Sequence, residues 1–333
     1  MKVGRQKMDR MNVATALNKK YLLYTGVMLH SLCKNNNVPV RAFLLHSELK
    51  ECDIQYLREA LADFDVEIVP LKVNTGLFSE RLPRNLTWSI ETYYRLALLE
   101  LLPEDVERLL YIDVDIIVNK SLGEVYALEF EDDEIIATED SCGKTTWDKF
   151  GDKQKEMFAP MIEQGYIYFN AGFMLLNIAK MREKYSFETY MQAIEEWNYQ
   201  MDAPDQDILN YVHWKYVGYI DCWEYDLFAR IAHNEGLTYE DVKQGATVIH
   251  YAGTKPWDGN SCHYDIEQLW WDYAKETPFY VQLMEEFLHK TMFDRTLENY
   301  INDILRQTES TQEQLSESVA LNQRLLNMIR GGK

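Results

Sequence analysis

Apolar and polar residues follow two kinds of pattern in the first third of the chain. Short apolar runs typical of strands are followed by longer segments in which apolar residues recur at helical spacing. Strands separated by helices of about ten to fifteen residues are typical of right-handed crossovers and of a mainly parallel sheet. The pattern therefore predicts an α/β domain of nucleotide-binding type. Its predicted strands are 12–17, 40–47, 66–71 and 108–118, and its predicted helices are 21–35, 50–64 and 88–102.

The pattern continues less regularly in the second half of the chain. A short strand is predicted at 133–140, and a small polar turn is predicted at 170–172, where Gly172 would let a ligand approach the backbone. Pro204 and Asp205 precede an apolar helical pattern, so a helix is predicted to start there with Asp205 near its N-cap. A strand is then predicted to run into the Gly/Pro turn of 246–257.

The apolar run at 108–118 contains two aspartates, Asp113 and Asp115. Successive side chains of a strand point to opposite faces, so we expect these two carboxylates on the same face. Two buried carboxylates are costly unless one is protonated, pairs with a basic side chain or binds a cation. A D-x-D spacing also arises by chance in acidic chains, so a solvated strand end remains an alternative at this point.

One histidine complements the aspartate pair. His250 ends a predicted strand, and Lys255 follows it by five residues. Two carboxylates and an imidazole suit Mn²⁺ or Mg²⁺ and leave about three positions of an octahedral shell for a diphosphate. We expect Lys255 to neutralise phosphate on the other side, because no glycine-rich phosphate loop occurs in the sequence.

Composition narrows the class of partner and the compartment. The 333-residue chain is 47% hydrophobic with a net charge of -20, which argues against nucleic acid or anionic membrane as the main partner. Five scattered cysteines indicate neither a disulfide framework nor a zinc site. No apolar run is long enough for a membrane span or a signal peptide. We expect a cytoplasmic protein with reduced thiols.

Four ordered motifs resemble the pattern of glycosyltransferase family 8: YIDVDIIV, FNAGFMLLN, DQDILN and HYAGTKPW. The resemblance implies a GT-A fold, with one Rossmann-like domain over 11–275 and a helical extension over 276–333. It also implies transfer of a hexose, with retention, from UDP-glucose or UDP-galactose to a glycan or glycoprotein acceptor. A divalent metal, usually Mn²⁺, is the implied cofactor.

The same resemblance implies roles for individual residues. Metal ligands would be Asp113, Asp115 and His250, while Asp205 and Gln206 would lie beneath the anomeric carbon. Asn18 stands where the family usually has an acidic residue at the base pocket. The residues implied to contact the donor are Asn18, Tyr21, Arg95, Asp113, Val114, Asp115, Asp140, Asn170, Ala171, Gly253 and Lys255.

Two mechanisms would give retention. One is a double displacement through a protein nucleophile, and the other is attack from the face that the diphosphate leaves. Gln206 is a poor nucleophile, which favours same-face attack, with Asp205 as the alternative nucleophile. Two other functions stay open at this point: a metal-dependent phosphoesterase, and an assembly module that binds a sugar nucleotide without turnover.

The last part of the chain differs in character. From 291 to 329, sparse apolar residues fit a four-three spacing and polar residues dominate, which predicts a weak coiled coil or a surface helix. Acidic and basic residues nearly balance from Thr291 onward, so attraction to anionic lipid is weak and membrane association is peripheral at most. A homo-oligomer through this helix and a solvated tail are the two expectations.

Overall fold

The computed structural model describes residues 10–79, 82, 89–145, 147–198, 203–259, 264–293, 304–305 and 308. Within this part of the chain, residues up to 256 and residues 264–281 form one compact unit. Residues 257–259 and those from 282 onward form a second unit. The predicted coiled coil of 291–329 lies outside the described residues except for 291–293, 304–305 and 308, which are helical. The predicted domain boundaries and the predicted oligomer stay predictions.

The first unit is built on a seven-stranded sheet and a three-stranded sheet. The strands are β1 (Met11–Ala16), β2 (Val40–His46), β3 (Val66–Lys72), β4 (Arg108–Ile112), β5 (Ile116–Val118), β6 (Ile135–Glu139), β7 (Phe169–Asn177), β8 (Val217–Ile220), β9 (Leu227–Phe228) and β10 (Val248–His250). The large sheet has the order β3-β2-β1-β4-β7-β6-β8, and the small sheet has the order β5-β10-β9.

The large sheet is mainly parallel, as predicted. Strand β1 pairs in parallel with β2 and β4, β2 pairs in parallel with β3, and β6 pairs in parallel with β8. Strand β7 runs antiparallel to both neighbours, β4 and β6. Residues 109–112 of β4 and 173–176 of β7 read as continuous apolar runs because these strands are buried on both faces.

In the described part of the chain, helices alternate with the strands, and two more follow the last strand. They are α1 (Leu22–Asn35), α2 (Glu51–Ala60), α3 (Gly76–Ser79), α4 (Leu98–Leu101), α5 (Gly123–Tyr126), α6 (Asp152–Ile162), α7 (Ile178–Lys184), α8 (Phe187–Glu196), α9 (Pro204–His213), α10 (Cys222–Tyr225), α11 (Ala229–Asn234), α12 (Tyr239–Gly245), α13 (Gln268–Ala274) and α14 (Tyr280–Phe293). No helix in the described ranges is long and apolar enough to cross a bilayer.

The prediction of one strand over 108–118 is wrong. Strand β4 ends at Ile112, and β5 starts at Ile116 in the other sheet, so Asp113 and Asp115 lie in the turn between the two sheets. The Asp113 amide donates to the Gly172 carbonyl (2.8 Å), and the Asp115 carbonyl accepts from the Tyr251 amide (2.9 Å). These bonds, rather than strand alternation, orient the two aspartates.

Two further sequence expectations need correction. The helix predicted at 88–102 is a 3-10 helix over Ile90–Ala97 followed by α4. Residues 170–172 lie inside strand β7 rather than in a turn. A Cβ on Gly172 would lie 2.6 Å from Cε1 of His250 and 2.8 Å from Oδ2 of Asp113. The absence of a side chain at Gly172 therefore leaves the space that His250 and Asp113 occupy.

Candidate active site

The largest group of predicted site residues surrounds a cavity at the carboxyl ends of β1 and β4. Ligands of open α/β sheets bind at this edge, where the loops after parallel strands converge. The cavity has a volume of about 380 Å³. Its lining residues are Ala16, Leu17, Asn18, Tyr21, Ser89, Glu91, Thr92, Arg95, Asp113, Val114, Asp115 and Lys255.

A smaller cavity of about 140 Å³ adjoins the first. The two cavities share three lining residues, Thr92, Arg95 and Asp113. The remaining residues of the smaller cavity are Asn170, Gly172, Ala203, Asp205 and Gln206. A ligand could therefore extend from the loop after β1 to the start of α9 while it passes Arg95 and Asp113.

The 3-10 helix over Ile90–Ala97 explains why Thr92 and Arg95 line both cavities. Side chains three residues apart eclipse each other in a 3-10 helix, whereas they are offset by about 60° in an α-helix. Ser89, Glu91 and Thr92 were not predicted as site residues. The sequence indicates a helix in this segment but does not distinguish a 3-10 helix from an α-helix, so it does not show which of these side chains face the cavity.

Asp113, Asp115 and His250 come together as one candidate metal site. One ligand atom from each residue lies within 4.8 Å of the others, and Nε2 of His250 is 3.5 Å from Oδ1 of Asp115. Opposite ligands of a small divalent ion are about 4 Å apart, so small rotations of these side chains suffice to hold one. The donor set fits Mn²⁺ or Mg²⁺.

The other nitrogen of the His250 ring contacts a residue that the sequence analysis missed. Nδ1 of His250 lies 2.9 Å from Oδ1 of Asp226, a buried aspartate that precedes β9. The segment WEYD that contains Asp226 matches no motif, and its closeness to His250 arises only because β9 and β10 pair. Sequence reasoning had no signal for this contact.

Arg95 connects the metal site to the start of α9. Its guanidinium donates to the Ala171 carbonyl (2.6 Å) and to Oδ1 of Asp113 (2.8 Å), and its Nε lies 2.9 Å from Oδ2 of Asp205. It also lies over the Tyr111 ring, 4.4 Å from the centroid. Burial alone would lower the pKa of Arg95, but Asp113 and Asp205 hold that pKa above its usual value. Arg95 therefore stays charged and fixes both carboxylates.

The two aspartates of the metal site differ electrostatically. Burial raises the pKa of Asp113, and the Arg95 guanidinium offsets only part of that effect. Burial also acts to raise the pKa of Asp115, but Lys255 and His250 together hold it well below its usual value. Nζ of Lys255 contacts Oδ2 of Asp115 and donates to the Tyr251 carbonyl (3.0 Å). Asp115 is thus the more firmly ionised of the two.

Asp140 organises the polar wall near the smaller cavity. Its Oδ1 accepts hydrogen bonds from the side-chain amides of Asn170 (3.0 Å) and Gln206 (3.2 Å). Its Oδ2 accepts from the hydroxyls of Ser141 (2.8 Å) and Thr145 (2.6 Å). Oδ1 of Asn170 also accepts from the Gly172 amide (2.8 Å), so Asp140 and the β7 backbone together fix the orientation of this side chain.

The side chain of Gln206 is held at both ends. Its Oε1 accepts from the Ala171 amide (2.9 Å) and from Nδ2 of Asn170 (3.2 Å). Asn210, one turn later on α9, joins that helix to β7, because its side chain exchanges hydrogen bonds with the Phe169 backbone (2.8 and 2.9 Å). Helix α9 therefore presents Asp205 and Gln206 to the cavity from a rigid support.

The far end of the larger cavity contains the predicted base-binding residues. Oδ1 of Asn18 accepts from the Lys20 amide (3.0 Å) and caps the 3-10 turn Lys19–Tyr21, which places Tyr21 in the cavity wall. Lys19 pairs with Asp53 (3.1 Å). Gly253 is not a lining residue of either cavity, but its φ of 88° belongs to the turn that leads to Lys255.

Comparison with known proteins finds a family and several relatives that match most of this chain. The family described as "Glycosyl transferase family 8" matches residues 12–261. A lipopolysaccharide 1,3-galactosyltransferase of Salmonella typhimurium is 26% identical over 253 residues, which are 75% of this chain and 73% of that protein. A lipopolysaccharide 1,2-glucosyltransferase of Escherichia coli is 25% identical over 256 residues, 75% of this chain and 74% of that protein.

A solved structure shares the fold. The crystal structure of the galactosyltransferase LgtC, solved in complex with donor and acceptor sugar analogs, superposes with a TM-score of 0.68 at 23% identity. The match covers 80% of this chain and 96% of LgtC, which confirms the predicted GT-A fold. Taken with the family match over residues 12–261, these findings show that the chain belongs to glycosyl transferase family 8.

Proposed function

We propose that this protein transfers a hexose, glucose or galactose, from a UDP-sugar to a glycan or glycoprotein acceptor with retention of configuration. The observation that carries the proposal is the pair of adjoining cavities that meet at Arg95 and Asp113. The larger one has room for a nucleotide diphosphate, and the smaller one is lined by amide and carboxylate groups that suit sugar hydroxyls. Relatives named as galactosyl- and glucosyltransferases support a hexose.

The leaving diphosphate would lie beside Asp113, Asp115, His250 and Lys255. The first three residues would hold a divalent cation, which would supply positive charge to the departing diphosphate. The Lys255 ammonium, which contacts Asp115, would neutralise a phosphate oxygen at the same position. Groups that are positioned before the reaction stabilise developing charge at little reorganisation cost.

The sugar would lie against Asn170 and Gln206, whose side-chain amides donate to Asp140. The contacts of the two amides leave one hydrogen on Nε2 of Gln206 and one lone pair on Oδ1 of Asn170, and these would meet sugar hydroxyls. The base would lie near Asn18 and Tyr21 at the other end. The Asn18 amide offers both a donor and an acceptor, so it can hydrogen-bond uracil without the acidic residue that is usual in the family.

Same-face attack suits the geometry better than a double displacement. The Gln206 amide is a poor nucleophile and is engaged at both of its polar ends. Asp205 is buried and paired with Arg95. This ion pair lowers the nucleophilicity of the Asp205 carboxylate toward the anomeric carbon. The departing phosphate oxygen can then accept the proton of the acceptor hydroxyl on the same face. Asp205 remains the alternative nucleophile.

Donor hydrolysis tests the proposal. Purified protein is incubated with a panel of UDP-sugars and Mn²⁺, and mass spectrometry follows UDP and free sugar. We expect metal-dependent release of UDP from one hexose donor, and we expect Asp115→Asn to abolish it. Asp105→Asn, which changes an exposed aspartate paired with Arg41, is the matched control and should behave as wild type.

Two outcomes would contradict the proposal. Release of phosphate from simple phosphate esters without any sugar would indicate a metal-dependent phosphoesterase. Metal-dependent binding of UDP-sugars, with no turnover to water or to any glycan, would indicate an assembly module that uses the same cavities.

A further inference from the structure

We infer that Asp226 is a positioning residue of the metal site, which fixes the tautomer and orientation of His250. The inference rests on the proposed function, since it presupposes that a divalent cation binds to His250. Asp226 lies 24 positions before His250 in the sequence and lines neither cavity. It would act through His250 and have no contact with substrate.

Both oxygens of the Asp226 carboxylate have defined partners. Oδ1 lies 2.9 Å from Nδ1 of His250, and Oδ2 accepts from the hydroxyl of Thr138 (2.9 Å). The Asp226 side chain is fully buried. A buried carboxylate is costly unless hydrogen bonds and a charge partner compensate for lost hydration, so Asp226 constrains its surroundings strongly.

The contact with Asp226 determines which nitrogen of His250 faces the metal-site aspartate Asp115. When Nδ1 carries the hydrogen donated to Asp226, the lone pair of Nε2 is directed toward Asp115, 3.5 Å away. A histidine that binds a metal commonly donates its other N–H to a carboxylate, which fixes the ring and increases its basicity. The Asp226–His250 pair has this arrangement.

Packing prevents the His250 ring from turning away. Phe228 lies edge-on to the ring with centroids 4.8 Å apart, and it pairs with His250 in the register of β9 and β10. Gly172 lies against the ring so closely that a Cβ there would be 2.6 Å from Cε1. Asp226 and the packing together give the ring one orientation.

The protein contains a matched pair that lacks the metal ligands. Oε2 of Glu134 lies 2.8 Å from Nδ1 of His213, and both side chains are fully buried. There the other ring nitrogen lies 3.0 Å from the hydroxyl of Tyr190. Glu134→Gln therefore removes a buried carboxylate–histidine pair without touching the candidate metal site.

Metal affinity provides the test. Mn²⁺ binding to the full-length protein in the presence of UDP is measured by loss of the free-ion electron paramagnetic resonance signal. We expect Asp226→Asn to raise the dissociation constant for Mn²⁺ by roughly 10- to 100-fold. Glu134→Gln should stay within about twofold of wild type, even where its melting temperature falls. Electron spin echo measurements should show altered nitrogen modulation from bound imidazole in Asp226→Asn only.

The outcomes separate this inference from the proposed function. His250→Ala should remove the nitrogen modulation; if it leaves both modulation and affinity unchanged, the metal site itself is wrong. If His250→Ala weakens binding but folded Asp226→Asn binds as wild type, only the inference about Asp226 is overturned. Equal losses in Asp226→Asn and Glu134→Gln would also overturn it. Should Asp226→Asn not fold, Thr138→Val reports instead, and wild-type affinity and modulation there would count against the inference.

Discussion

Arg95 shows how much one residue contributes to this site. Its single guanidinium contacts Asp113, Asp205 and the Ala171 carbonyl, which belong to the β4–β5 turn, helix α9 and strand β7. A planar guanidinium can hold several acceptors at fixed angles, whereas a lysine ammonium on a flexible stem cannot. Arg95 therefore links the candidate metal site to the smaller cavity.

The two metal-site aspartates should differ when each is neutralised. Asp115→Asn leaves Lys255 and His250 without the carboxylate that they share, so we expect the free energy of unfolding to fall by roughly 3 kcal/mol without metal. Asp113→Asn removes a carboxylate whose ionised form is disfavoured by burial. Arg95 still has its ion pair with Asp205 in this variant. We expect its effect to stay within about 1 kcal/mol.

Chemical denaturation with a chelator present measures this difference, and turnover with Mn²⁺ should be lost in both variants. Equal stability losses in Asp113→Asn and Asp115→Asn would contradict the electrostatic asymmetry derived for the pair.

At the scale of elements, strand β7 positions the site through a glycine. Gly172→Ala places a Cβ within 3 Å of His250, Asp113 and Asn170, all through side-chain atoms. We expect turnover to fall about a hundredfold, because the displaced ligands lose their geometry, and the free energy of unfolding to fall by about 1 to 3 kcal/mol.

Gly245→Ala is the control for this change. It lies at the end of α12, where a Cβ would meet no atom within 4 Å, and it should retain activity. A Gly172→Ala variant with wild-type metal affinity and turnover would show that the close packing around Gly172 is not needed.

The elements themselves were largely predictable from the sequence, because buried strands and amphipathic helices differ in apolar period. Strands β1, β2 and β3 and helices α1 and α2 lie where the pattern places them. The turn at Asp113 was not predictable, because Ile112 and Ile116 continue an apolar run although they belong to different sheets. The pattern records burial but not the sheet to which a residue belongs.

The site was predictable in part for a related reason. Motif residues such as Asp113, Asp140 and Gln206 are informative as residue types at a fixed spacing, and they do converge around the two cavities. Asp226 and Thr92 depend on strand pairing and on helix type, which one sequence does not encode locally. Contacts made across elements therefore required the structure.

At the scale of the whole molecule, a polar network whose residues line neither cavity joins several elements. Glu134, which precedes β6, accepts from Lys184 of α7 (2.7 Å) and from His213 of α9 (2.8 Å). His213 also contacts the Tyr190 hydroxyl of α8 (3.0 Å). These contacts attach α7, α8 and α9 to the start of β6, so the network contributes to global stability.

The protein should become less stable as the pH decreases, because two groups of this network, His213 and Glu134, have lowered pKa values. Burial lowers the pKa of His213 below 6.5, so the unfolded chain takes up a proton first as pH falls below that value. Burial acts to raise the pKa of Glu134, but His213 and Lys184 hold it below 4.5, so its contribution is lost at still lower pH. We expect the melting temperature to fall progressively below about pH 6.5.

Melting curves between about pH 4 and pH 8 check this, with the double variant Glu134→Gln, His213→Asn for comparison. The double variant should be less stable at neutral pH and should depend less on pH over this range. If wild type and double variant show parallel pH profiles, other groups set the acid sensitivity.

The position of Asp113 and Asp115 between the two sheets has a mechanical consequence. The Asp113 amide is bonded to β7 of the large sheet, while Asp115 and His250 are tied to β5 and β10 of the small one. An ion bound by all three residues would connect the two sheets across the seam between them. Its removal would loosen the seam first, and faster deuterium uptake by the amides of β5 and β10 would record the loosening before the molecule unfolds.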